Sequence, residues 1–259
     1  TRKTSDSLYY PKLSTVQHRY LNQLTFVRNN SRALYPYEGS IQLQQAKDFY
    51  RINLTATYFM NYATKGGLSI RFFAAKFGYL GKVTLQQKFA TQRYQPKLTA
   101  VRGAEDYTYG NYFVGRNETS GWASQQMMIR DGALKLRTDL FQDLQGRSDQ
   151  WIAAANFSST LPPALLPPAV PLRLFLDVGT YADSWSRNSK AQKFLFVGGL
   201  QLSLFKNVLN IYAPLVYSKI FVDNLKSVPD QHTFLKKLSF SIDLERMTSK
   251  KMSGIPFNF

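Results

Sequence analysis

The sequence predicts an all-β fold, an antiparallel transmembrane β-barrel of the outer-membrane kind with about ten strands, two more or fewer. Three observations predict it. Apolar and polar residues alternate with a two-residue period through most of the 259 residues, which puts them on opposite faces of strands. The alternating stretches are close to the roughly 9–11 residues that a tilted strand needs to cross a bilayer. No run of about 18 apolar residues exists, because Arg, Lys, Pro, Asp or Gln interrupts every candidate. A transmembrane helix is thereby excluded, and only closed strands could span lipid.

From the amino end, residues 1–18 are polar and irregular and read as a linker or tail, and 19–247 read as the barrel domain. A strand over Arg19–Arg28 is followed by Tyr37–Gln45, alternating through Ile41 and Leu43, with a polar turn at Lys47 and Asp48. Tyr50, Ile52, Leu54, Ala56, Tyr58, Met60 and Tyr62 then form one apolar face against Arg51, Asn53, Thr55, Thr57 and Asn61. Lys65-Gly66-Gly67 tolerates positive φ and makes a hairpin to Leu68, Ile70, Phe72 and Ala74. From residue 79 to 121 the pattern dissolves into a long loop, with a short hairpin expected around Val83–Phe89.

Trp122–Phe141 reads as an extended strand, with Leu134, Leu136 and Leu140 opposite Lys135, Arg137 and Asp139, and Trp151–Phe157 alternates back. Residues 159–169 hold Leu161-Pro162-Pro163 and Leu166-Pro167-Pro168, which cannot join a ladder and form a second long loop. Leu172–Val178 follows, and Phe194–Phe205 and Val208–Val216 flank a tight Lys206-Asn207 turn. A third long loop covers 218–232. Thr233–Arg246 closes the series, with Phe234, Leu238, Phe240, Ile242 and Leu244 facing away from Ser239, Ser241, Asp243 and Glu245.

Soluble sheets alternate too, so the polar face decides. Arg71, Arg137, Arg173, Asp177, Asp243 and Glu245 oppose well-formed apolar stripes. In a narrow barrel they form a luminal charge network in which each must find a partner or water. Residues 248–259 are a tail or the final strand: Gly254, Phe257 and Phe259 have the spacing of a glycine-then-aromatics barrel-terminal signal, which Pro256 weakens because proline donates no ladder hydrogen bond.

Chemistry is scarce. The chain has no cysteine and two histidines, His18 and His232, so disulfides, thiolate metal sites and a zinc site of three or four ligands are excluded. Neither histidine stands in a nucleophile setting such as Gly-x-Ser-x-Gly. Gly115-Arg116-Asn117-Glu118-Thr119 lacks the strand-to-helix context of a phosphate loop. No catalytic residue, cofactor or metal is assigned. The net charge of +17 would suit nucleic acid in a soluble protein, but the basic residues form no dense block. In an outer membrane they would meet lipid A phosphates or anionic headgroups, so lipid or lipopolysaccharide, together with other outer-membrane or periplasmic proteins, is the expected partner, and nucleic acid is not. A soluble basic β-protein that binds nucleic acid is the alternative. Thr1 is not preceded by a charged and apolar leader, so either a signal peptide has been removed or, as favoured here, the chain is a piece of a longer protein.

Four stretches carry a resemblance: Ala63–Phe77 (ATKGGLSIRFFAAKF), Asp106–Asp131, Val170–Tyr181 (VPLRLFLDVGTY) and Gly198–Ser218 (GGLQLSLFKNVLNIYAPLVYS). They resemble the carboxyl-terminal region of large Bacteroidetes outer-membrane proteins whose amino-terminal part is a zinc aminopeptidase-like domain of the membrane alanyl aminopeptidase family. The resemblance implies a membrane-embedded β module in the bacterial outer membrane that anchors or docks a larger assembly. The family's H-E-x-x-H and catalytic Glu have no counterpart here, so no catalytic residue carries over. Leu172–Tyr181 also resembles strands of the surface-antigen barrels that insert other outer-membrane proteins, a related alternative.

Overall fold

The computed structural model describes residues 2–3, 9–10, 20–62, 66–99, 122–136, 146–161, 170–187, 191–227 and 233–243. Two short strands, β1 (Arg2–Lys3) and β2 (Tyr9–Tyr10), pair with each other. The remaining strands are β3 (Leu21–Asn30), β4 (Tyr37–Ala46), β5 (Phe49–Asn61), β6 (Gly67–Tyr79), β7 (Trp151–Thr160), β8 (Leu172–Tyr181), β9 (Leu195–Leu204), β10 (Leu209–Tyr217) and β11 (Ser239–Ile242). They form one nine-stranded antiparallel sheet in which each strand lies beside its neighbour in sequence. Even β6 and β7, separated by residues 80–150, pair over nine positions from Leu68↔Ser159 to Lys76↔Trp151. The fold is therefore an all-β meander, as the alternation predicts, and no helix among the described residues is long and apolar enough to cross a membrane.

The ladder sorts the side chains. One row runs Tyr58, Ile70, Phe157, Leu176 and Gly198 across β5 to β9, and another runs Ala56, Phe72, Ala155, Val178 and Phe196. These rows belong to the outer face, where Phe72 is 53% and Leu176 43% exposed. One residue along, the row Thr57, Arg71, Asn156, Asp177 and Val197 belongs to the inner face. The described parts of the insertion between β6 and β7 pack on that inner face, burying Leu98, Leu134 and Leu136 against Phe73, Ile152, Phe175, Leu195, Val197 and Tyr212.

Four sequence expectations change. Val83–Phe89 is no hairpin: Leu85–Thr91 is helix α1, started by Thr84, which has an extended backbone and whose hydroxyl accepts the Gln87 N–H at 3.1 Å. The described part of Trp122–Phe141 is no strand: residues 123–125 are a 3-10 turn, and Leu134 makes one isolated bridge to Thr99. Its alternation arises because the segment lies inside the molecule, with Leu134 and Leu136 in the core and Lys135 against a buried carboxylate. The third long loop contains helix α2 (Lys219–Ser227), which buries Phe221 and Leu225, four apart on one face. Finally, Phe234–Lys237 is a single helical turn, α3, so the last strand shortens to Ser239–Ile242, whose ladder is with Leu209–Tyr212.

The two sheet edges differ. The free side of β11 is taken by the insertion: Met127 donates its N–H to the Phe240 carbonyl at 2.7 Å beside a parallel Gln126↔Phe240 bridge. Strand β3 pairs with β4 through ten positions and has no ladder on its other side among the described residues.

Candidate functional site: the polar inner face

Antiparallel register brings three inner-face residues abreast: Arg71 on β6 opposes Asn156 on β7, which opposes Asp177 on β8. Asp177 is wholly buried, and a buried carboxylate is tolerated only when its oxygens are satisfied. Its Oδ1 accepts from Lys135 Nζ at 2.7 Å and from Asn156 Nδ2 at 3.0 Å, while Oδ2 accepts from the Lys135 backbone N–H at 3.1 Å. Lys135 Nζ also stands 5.1 Å from the Phe175 ring centroid and 5.5 Å from that of Tyr212, so its charge is held by a carboxylate and two aromatic faces.

Asn156 ties the row to the insertion. Its Nδ2 also donates to the Gly132 carbonyl at 2.9 Å, and its Oδ1 accepts from Arg71, whose guanidinium reaches the Asp131 carbonyl at 2.8 Å. A second buried ion pair, Arg51 with Asp131, joins β5 to the same turn. Arg51 further donates to Asn53 Oδ1 at 2.8 Å and to the Tyr94 carbonyl at 3.1 Å, and Asp131 accepts the Lys97 N–H at 3.2 Å.

The turn that receives these bonds is unusual. Asp131 and Ala133 both have φ of +50°, in the left-handed region that L residues rarely adopt. Between them, a Cβ on Gly132 would lie 2.6 Å from the Leu98 backbone. Leu98 itself is fully buried, and its carbonyl accepts the Leu134 N–H at 2.9 Å. The insertion is thus clamped to the sheet by two ion pairs and one tightly packed turn.

Of the residues expected in a luminal charge network, Arg71 and Asp177 meet through Asn156, and Arg173 on β8 lies on the same face, donating to the Ser158 carbonyl at 3.2 Å. Asp243 follows β11 and lines, with Arg71 and Arg173, a cavity on that inner face. Arg137, Glu245 and the terminal Gly254, Phe257 and Phe259 lie outside the described residues. Sequence reasoning missed Arg51, Asp131, Lys135 and Asn156. Arg51 and Lys135 did stand on polar stripes, but nothing local marks Asp131, since its partner is 80 residues away.

Beyond the strand ends, partial desolvation of an otherwise exposed side chain and the nearby Asp149 raise the Asp183 carboxyl above its ordinary value, against a Ser148 hydrogen bond that lowers it. Among the described residues no group of His, Asp or Glu could hold a metal ion.

The fold and this site define an all-β, nine-stranded antiparallel sheet with an apolar outer face and a filled polar inner face. No protein-family model matches the chain and no curated protein does. Among solved structures it is similar to CdiB from Acinetobacter baumannii, at 14% identity and a TM-score of 0.35, over 76% of this chain and 30% of that one. A likeness of that degree assigns neither fold nor function, and the chain spans less than a third of the length of that protein.

Proposed function

We propose that this chain is the membrane-embedded module of a bacterial outer-membrane protein, a β-barrel whose inner face is covered in part by its own insertion, and which anchors or docks a larger assembly without catalysis of its own. The single observation that carries this reading is the inversion of the usual sheet: Leu24, Phe26, Ile41, Leu43, Ile52, Leu54, Phe72, Leu174 and Leu176 are exposed, while Arg51, Asn53, Asn156 and Asp177 are buried behind them. Water disfavours so large an apolar face, whereas hydrocarbon requires it. Strands β3 to β10 are 9–13 residues long, enough to cross a bilayer when tilted. The surplus basic charge would meet anionic headgroups.

The test is to fold the full chain into detergent micelles and liposomes and compare boiled with unboiled migration. Heat-modifiable migration and co-flotation with lipid are expected. A monodisperse protein that needs no detergent, and binds DNA with a steep loss of affinity in salt, would replace this reading with the basic nucleic-acid-binding one. We further propose that the parent protein carries a zinc-peptidase-like domain; the complete reading frame would show an upstream H-E-x-x-H with a downstream Glu, or remove the idea.

A further inference from the structure

The inner face is not filled to the end. Toward the β9–β10 turn, a cavity of about 450 Å³ opens between the sheet and the insertion. Its lining includes four cationic side chains, Arg71, Arg130, Lys135 and Arg173, and one carboxylate, Asp243. Lys135 is matched by Asp177, but neither Arg71 nor Arg173 has a carboxylate within 4 Å among the described residues. Among the described residues of the wall, Arg71 and Arg173 are thus two cations with no carboxylate in ion-pair contact. Amide and hydroxyl groups complete it: Gln201 bonds Ser158, Ser203 and Asn210 at 2.9–3.1 Å, which holds its amide in place.

Arg173 supplies an independent observation. One terminal nitrogen donates to the Ser158 carbonyl, yet its Nε is buried with no hydrogen-bond partner among the described residues. A buried guanidinium N–H left unpaired is destabilising, and an oxyanion would satisfy it through the two-pronged geometry that arginine favours. We propose that this cavity is a binding site for a small multivalent oxyanion, a phosphate ester or polycarboxylate, with Arg173 as a direct ligand and Arg71 supplying positive charge beside it. The cavity needs only the sheet and its packed insertion, so the site stands whether or not the chain inserts into lipid.

The experiment titrates pyrophosphate and, separately, citrate into the full chain in detergent micelles by calorimetry, with KCl of matched ionic strength as the blank. Saturable binding with one site is expected, with Arg173→Gln weakening it about tenfold, the loss of one charge-assisted hydrogen bond. Arg173→Lys should weaken it less, and Lys226→Gln on α2, at the other end of the sheet, should leave it unchanged. Should Arg173→Gln fail to fold, a saturable rise in the wild-type Tm with pyrophosphate, beyond that given by KCl, carries the same expectation. Absence of saturable binding by either anion overturns the proposal, as does equal affinity in Arg173→Gln or an equal loss in Lys226→Gln. Preference between pyrophosphate and citrate separates a phosphate source from a carboxylate one.

Discussion

Lys135 and Asp177, 42 residues apart, make a two-point contact: the ammonium donates to one carboxylate oxygen at 2.7 Å and the same residue's backbone N–H donates to the other at 3.1 Å. The pair fixes both the position and the backbone direction of the insertion over β8. Removing one partner leaves a buried charge without compensation, which costs about 3–5 kcal/mol. Lys135→Met is therefore expected to lower the urea midpoint sharply, and the double variant Lys135→Met/Asp177→Leu to recover much of the loss. A double-mutant cycle in detergent measures the coupling.

Gly132 answers for the second clamp. A methyl group there meets the Leu98 backbone rather than a flexible side chain, so the turn must shift. Gly132→Ala should destabilise the fold by about 1–3 kcal/mol, whereas Gly39→Ala, where a Cβ meets nothing within 4 Å, should be near neutral. Paired thermal melts check the contrast.

The outer face gives a different signature. Leu176 stands mid-strand on β8 and is largely exposed. In a bilayer Leu176→Arg should cost about 2–4 kcal/mol, read as a lowered midpoint for unfolding from liposomes. A solvated surface would accept the same change with little effect, so the size of the shift reports directly on lipid contact.

Asp183 links stability to pH. Its folded pKa lies above the unfolded value of 3.8, so the stability it contributes is fully present below that value and is lost as pH rises through the folded pKa. Asp183→Asn should accordingly raise Tm at pH 7 relative to wild type and have little effect at pH 3. Melting curves at the two pH values decide it.

Much of the sheet was legible because its two faces have opposite chemistry at period two. The strand around Tyr50–Tyr62 and the hairpin at Gly66 needed nothing more, and the Lys206-Asn207 turn is found with both residues at positive φ. The same rule misread Leu134-Lys135-Leu136, because a segment enclosed by the molecule also alternates when it has core on one side and a buried carboxylate on the other. It overextended the last strand as well, since β11 follows Leu209–Tyr212 and the chain before it coils into α3. Within the site, Arg71 and Asp177 were visible as charges opposing greasy stripes. Asp131 was not, because its role is set by a left-handed turn and by partners on β5 and near Lys97, which only the three-dimensional fold brings close.

The abreast arrangement of Arg71, Asn156 and Asp177 also bears on how the strands find one another. Side chains in a strand change face with every residue, so a hairpin zipped one position out of step would swing Arg71 to the greasy side and drive Ile70 inward. Such a mismatch would place a guanidinium and a carboxylate on the apolar face, away from the hydrogen bonds that Asn156 and Lys135 supply. The trio thus distinguishes the native alignment of β6, β7 and β8 from its one-residue neighbours.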